Sequence, residues 1–284
     1  MTGPLVDHAL VSTQWLADHL GADDLLVVDA TVFGFTDPDG RSGYLTGHER
    51  YLLDGHIPGA VFADLIEEFS DPEGTHPFTR PDAARLAAAA SALGVGAGTT
   101  VVVYDAVVGQ WAARLWWLLR SFGHERVAVL DGGYAKWTAE SRETDIGHVE
   151  PVPAAFAAVE QPGFWVDKAE VEAILAGKAP GALVCGLPPK DFAGGHIPGS
   201  LSVPAGRLVD ADTNAVLPTE RLRESFGTVL GGERVVVYCR GGIAAAADAL
   251  ALTVLGHRDI AIYDGSLNEW TADPRAPLAG LAVT

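Results

Sequence analysis

The chain has 284 residues, 48% of them apolar, which is long for a single core and enough for two. Its 19 basic and 37 acidic residues leave a formal net charge of −18, a surface that repels phosphate backbones and anionic lipid and so argues against nucleic-acid and membrane partners. Two cysteines are too few for a disulfide framework and the amino terminus lacks the basic start and apolar run of a leader, so a cytoplasmic protein is expected.

In chain order, LLVVDA (25–30) reads as a strand and RPDAARLAAAASALG (80–94) as a helix. TTVVVYD (99–105) is a second strand, QWAARLWWLLRSFG (110–123) a helix, and RVAVLDGG (126–133) a third strand running into a glycine turn. Residues 138–164 carry three prolines and no periodicity, which suits a surface linker. Next comes DKAEVEAILAG (167–177), a helix with Asp167 as N-cap, Glu170 three residues on and Gly177 as terminator. ALVC (182–185) is a strand, PTERLRESFG (218–227) a helix opened by Pro218 and Thr219, and RVVVY (234–238) another strand. Residues 243–255 form a helix, and IAIYDG (260–265) closes the series as a strand.

The two halves repeat. GHIPGA (55–60) returns as GHIPGS (195–200), VVVY (101–104) as VVVY (235–238), and FGHERVAVLDGGYAKW (122–137) as LGHRDIAIYDGSLNEW (255–270). Order is kept, so a tandem duplication is expected: a domain over 1–140, a linker over 141–164 and a second domain over 165–284. Strands alternating with helices make each copy α/β, a parallel sheet with helices on both faces, whose ligands gather at the carboxyl ends of the strands.

Cys239 stands at such an end, followed by Arg240, Gly241, Gly242 and the start of a helix. Backbone N–H groups at a helix start, a glycine turn that curls them into one concavity, and an adjacent arginine all favour a sulfur anion there. The plain alternative is a small buried filler. Alignment of the copies sets Cys239 opposite Asp105, and a carboxylate cannot carry a sulfane sulfur, so only the second half is expected to react. The repeated His56 and His196 turns, together with Asp131 and Asp264, read as structural. Arg114 is expected to pack the first half and to pair, if at all, with Asp105. Phe33 and Phe35 either cover core or reach across to the Cys239 pocket.

These residues resemble the two-domain rhodaneses, the thiosulfate and 3-mercaptopyruvate sulfurtransferases. The likeness rests on the paired GHIPG turns, WAARLWWLLRSFGHERVAVLDGGYAKW, YCRGGIA and DGSLNEW, and spans almost the whole chain. It implies an inactive first half and ping-pong transfer through a Cys239 persulfide, from a small anionic sulfur donor to cyanide or a thiol, with no metal or organic cofactor. Arg240, Gly241, Gly242, Ile243 and Ala244 then form the anion-binding loop. Phosphatase chemistry is not expected, because the arginine such enzymes need six residues after the cysteine is Ala245. Arg240 is of the thiosulfate kind. Leu187 and Asp191 stand where active relatives carry arginines, leaving Lys190 as the nearby substitute. A 3-mercaptopyruvate donor, or a relay of persulfide between proteins, are the alternatives. Cys185, opposite Asp29 on the neighbouring strand, either resolves an oxidised Cys239 or fills the space of an absent aspartate.

Overall fold

A computed structural model of the chain describes residues 8–232 and 234–280, so residues 1–7, which entered the leader reading, lie outside it. Two five-stranded parallel sheets form the framework. The first runs Leu10–Val11, Val127–Leu130, Thr100–Tyr104, Leu25–Asp29, Val61–Phe62, and the second repeats that order with Trp165–Val166, Asp259–Tyr263, Arg234–Tyr238, Ala182–Cys185, Leu201–Ser202. The central strands are almost continuous β-branched runs, as a strand buried on both faces requires. Each expected helix forms. Lys168–Leu175 opens with the reciprocal Asp167–Glu170 capping box, and Asp82 caps Ala83–Leu93 by accepting from the Arg85 N–H.

The repeated histidines and tryptophans are structural in both halves. His56 Nδ1 contacts the Tyr51 carbonyl at 3.0 Å and His196 Nδ1 the Phe192 carbonyl at 2.9 Å, each ring stacked on its aromatic neighbour. Trp137 and Trp270 donate their indole N–H to the Glu143 and Pro277 carbonyls. Residues 146–163 lack regular structure and run along the first half, pinned by bonds such as Ala154 N–H to Ser91 O and Val159 N–H to Phe122 O. Among the described residues no helix is long and apolar enough to cross a membrane.

The halves share one core. Helix Gln110–Ser121 lies against helix Ile243–Val254, and both belong to a single buried apolar cluster. Polar bonds cross the seam reciprocally: Asp131 accepts from the Val216 N–H at 2.7 Å, and Asp264 accepts from the Arg80 N–H at 2.8 Å. The two aspartates are therefore more than turn residues. Arg114 does not pair with Asp105 but forms an ion pair with Asp264 at 2.8 Å and donates to the Phe78 carbonyl at 2.7 Å.

Candidate active site

Tyr238 ends the central strand of the second sheet, and Cys239 is the next residue, 3% exposed. The chain then turns through Arg240 and Gly241 to Gly242, which caps helix Ile243–Val254 at φ 79°. That left-handed conformation suits glycine, and a Cβ there would lie 2.9 Å from Arg114 Nη1 and 3.0 Å from Asp264 Oδ1. The next strand's turn braces the loop. The Cys239 N–H donates to Ser266 Oγ at 3.1 Å, while the Cys239 and Arg240 carbonyls accept from the Leu267 and Asn268 N–H groups at 3.2 and 2.9 Å. Ser266 holds a left-handed φ of 48°, unusual for serine, and its hydroxyl also donates to the Tyr263 carbonyl.

The first half shows what such a turn binds. Asp105 occupies the matching strand end, and its carboxylate accepts four backbone N–H bonds, from Val107 and Gly109 on one oxygen and Trp111 and Ala112 on the other, at 2.8–3.0 Å. Burial raises the carboxyl's pKa, and the four N–H groups pull against that rise. In the second half the turn is one residue shorter, with Gly242 in place of Gly109 as the helix cap. No described side chain accepts from the N–H groups of residues 241–245. A carboxylate oxygen lies two atoms beyond Cβ; a thiol sulfur lies one. A second sulfur on Cys239 has the reach of the Asp105 oxygens.

Above Cys239 opens a pocket of about 590 Å³. Cys239, Arg240, Gly241, Ile243, Ala244 and Leu187 line it, with Asn268 and Thr271 beside them. The opposite wall belongs to the first half: Ser42, Tyr44, His76, Pro77, Phe78, Gln110 and Trp111. Among the described residues Arg240 is the one lysine or arginine in the lining, and Leu187 presents an apolar surface to it. Gly242 turns instead toward Arg114 and Asp264. Lys190 sits exposed on the short helix Pro189–Gly194 and outside the lining.

Sequence reading missed the first-half wall. Part of it is an antiparallel hairpin, Val32–Thr36 with Ser42–Thr46, that has no counterpart among the described residues of the second half. The signal was a length difference: Gly55 lies 26 positions after Asp29, but Gly195 only ten after Cys185. Strand alternation decides which side chains face Cys239. Ser42 and Tyr44 point to the pocket, so Phe33 and Phe35, on the other face with Leu45, do not.

Cys185 is fully buried, and its side chain lies with Tyr238, its register partner, on the face opposite the Cys239 helix. Burial pushes its thiol up to about 11. There it packs as a small side chain within the core. Asp248 is also completely buried, both carboxylate oxygens lacking a partner among the described residues, with Gly186 pressed against it.

Burial alone holds the Asp248 carboxyl well above the ordinary carboxylate range. Such a group stabilises fully only below its unfolded pKa, and that contribution is lost as pH rises toward the folded value. Asp248→Asn, isosteric with the neutral acid, is therefore expected to be more stable at pH 7 by upwards of about 1 kcal/mol, roughly 2–4 °C in Tm. The gain should vanish near pH 4. Calorimetry across that range checks it, and a gain that grows toward acid contradicts it.

The rhodanese-like domain model matches residues 12–140 and 169–273. Human 3-mercaptopyruvate sulfurtransferase is 34% identical over 288 residues, covering 95% of this chain and 94% of its own. Bovine thiosulfate sulfurtransferase is 34% identical over 289 residues with the same coverage. The crystal structure of SseA from Escherichia coli, a 3-mercaptopyruvate sulfotransferase, superposes with a TM-score of 0.79 at 31% identity, covering 91% of this chain and 98% of that one.

Proposed function

The chain belongs to the rhodanese-like family, as a tandem two-domain sulfurtransferase, and from that premise we propose that it moves a sulfane sulfur from thiosulfate to cyanide or a thiol through a persulfide on Cys239. The Cys239 thiolate attacks the outer sulfur of thiosulfate; a new S–S bond forms, the old one breaks, and sulfite leaves with the electron pair. Cyanide then takes the outer sulfur as thiocyanate and the thiolate returns. The observation that carries this reading is the Asp105 carboxylate bonded by four N–H groups at the matching turn. The same scaffold offers Cys239 an anion nest that a bare thiol sulfur does not fill and a persulfide does.

A second donor, 3-mercaptopyruvate, is supported by the lining itself. Thiosulfate carries two charges, whereas Arg240 is the only lysine or arginine in the pocket among the described residues, and an apolar Leu187 wall suits a carbon-bearing monoanion. Steady-state transfer to cyanide with the two donors side by side separates the readings. Turnover with neither, alongside uptake of sulfur from a protein persulfide, would favour the relay.

Arg240 is exposed, so water and salt screen its charge. Arg240→Ala is expected to lower kcat/KM for thiosulfate by about tenfold, near 1.4 kcal/mol, with the loss shrinking as ionic strength rises. An equal loss with an uncharged donor would show that Arg240 only shapes the loop.

A further inference from the structure

The half that lacks the thiol builds one wall of the pocket, and half-exposed Tyr44, one of several polar residues on that wall, lies within electrostatic reach of Cys239 and Arg240. Tyr44 comes from the hairpin unique to the first half, on the strand face that looks into the pocket. Its ring is fixed edge-on against Phe78 at 4.8 Å and Trp111 at 5.7 Å. Its hydroxyl has no hydrogen-bond partner among the described residues, and none joins it to the Cys239 sulfur. We propose, on the reading that Cys239 carries a persulfide, that Tyr44 is a catalytic residue whose hydroxyl donates a hydrogen bond to the outer sulfur.

The geometry favours the second sulfur over the first. An S–S bond places the negative end of the group ~2 Å beyond the Cys239 Sγ, toward the pocket that Tyr44 lines. The hydroxyl already feels both charges of the site: a Cys239 anion makes the phenol harder to ionise and the Arg240 guanidinium makes it easier, on top of a larger rise from burial. A phenol held neutral in this way remains a donor. No proton is transferred; the bond is made when the persulfide forms and is lost when the acceptor removes the sulfur. It therefore stabilises the loaded enzyme over the free thiolate.

The test is an equilibrium. The full chain is brought to equilibrium with cysteine persulfide and cysteine at a fixed ratio, so that one sulfur exchanges between two thiolates and no oxidant is consumed. Intact-mass spectrometry reads the loaded fraction. Tyr44→Phe keeps the ring and its packing on Phe78 and Trp111, and should shift the loading constant about tenfold toward free enzyme, as for a lost hydrogen bond to a charged group. Leu45→Ala alters the outer face of the same strand, where the side chain is 58% exposed, and should load as the native chain does. Native loading in Tyr44→Phe, or an equal loss in Leu45→Ala, overturns the proposal. If the native chain takes no sulfur on Cys239, the persulfide reading itself fails, and the role of Tyr44 falls with it.

Discussion

Cys239→Ser is expected to take up no sulfur from any sulfane donor and to lose transfer to cyanide by about a thousandfold or more. A serine hydroxyl is protonated at neutral pH and forms no stable oxygen–sulfur analogue of the persulfide. The substitution is close to isosteric, and the backbone bonds that hold the turn, to Ser266 Oγ and from the Leu267 N–H, do not involve the thiol. Folding should therefore be preserved and only the chemistry lost, which thermal melting beside intact-mass spectrometry would establish. The other thiol offers no rescue: Cys185 is fully buried on the far face of the sheet and pushed up to about 11, so almost none of it is thiolate at neutral pH. Cyanide-labile sulfur recovered on the Cys239→Ser chain, at Cys185 or elsewhere, would defeat the assignment.

Much of the framework was legible because duplication repeats local physics. The paired VVVY runs fixed the central strand of each sheet, the Asp167–Glu170 box fixed a helix start, and the two glycines after Cys239 marked a turn that needs a left-handed residue at Gly242. The same repeat placed Asp105 opposite Cys239, and the structure gives that alignment its physical meaning, an anion already seated in the matching nest. What escaped lies between the copies. Comparing one half with the other reveals what they share, whereas Tyr44, Phe78 and Trp111 act on the opposite half, and the hairpin that carries Tyr44 has no match among the described residues of the second half. Asp131 and Asp264 illustrate the same limit: each closes a local turn, and each also accepts an N–H from the other half. That Leu187 forms an apolar part of the pocket wall depended on the fold.

Arg114 is where those two halves and the reactive turn meet, and its removal should have the largest effect on stability. The side chain is 2% exposed, its partner Asp264 only 14%, and the guanidinium also lies 5.0 Å over the Trp165 ring. Arg114→Leu leaves a largely buried carboxylate with the Arg80 N–H as its remaining polar partner, and strands the Phe78 carbonyl. Breaking one side of such a pair costs about 3–5 kcal/mol, which for a chain of this size lowers Tm by roughly 10 °C or more. The site should suffer too, because Phe78 steadies the Tyr44 ring and the ion pair packs directly against Gly242. Arg114→Lys keeps the charge but cannot reach the Asp264 carboxylate and the Phe78 carbonyl in the same planar fork, so an intermediate loss is expected. The double variant Arg114→Leu/Asp264→Leu separates pairing from packing: with no charge left unpaired, it should recover part of what the single change lost. Urea melts of Arg114→Leu, Asp264→Leu and the double variant give the coupling. Losses that simply add would show that the pair contributes only bulk to the seam, and a loss below about 1 kcal/mol in Arg114→Leu would show that water had never been excluded from it.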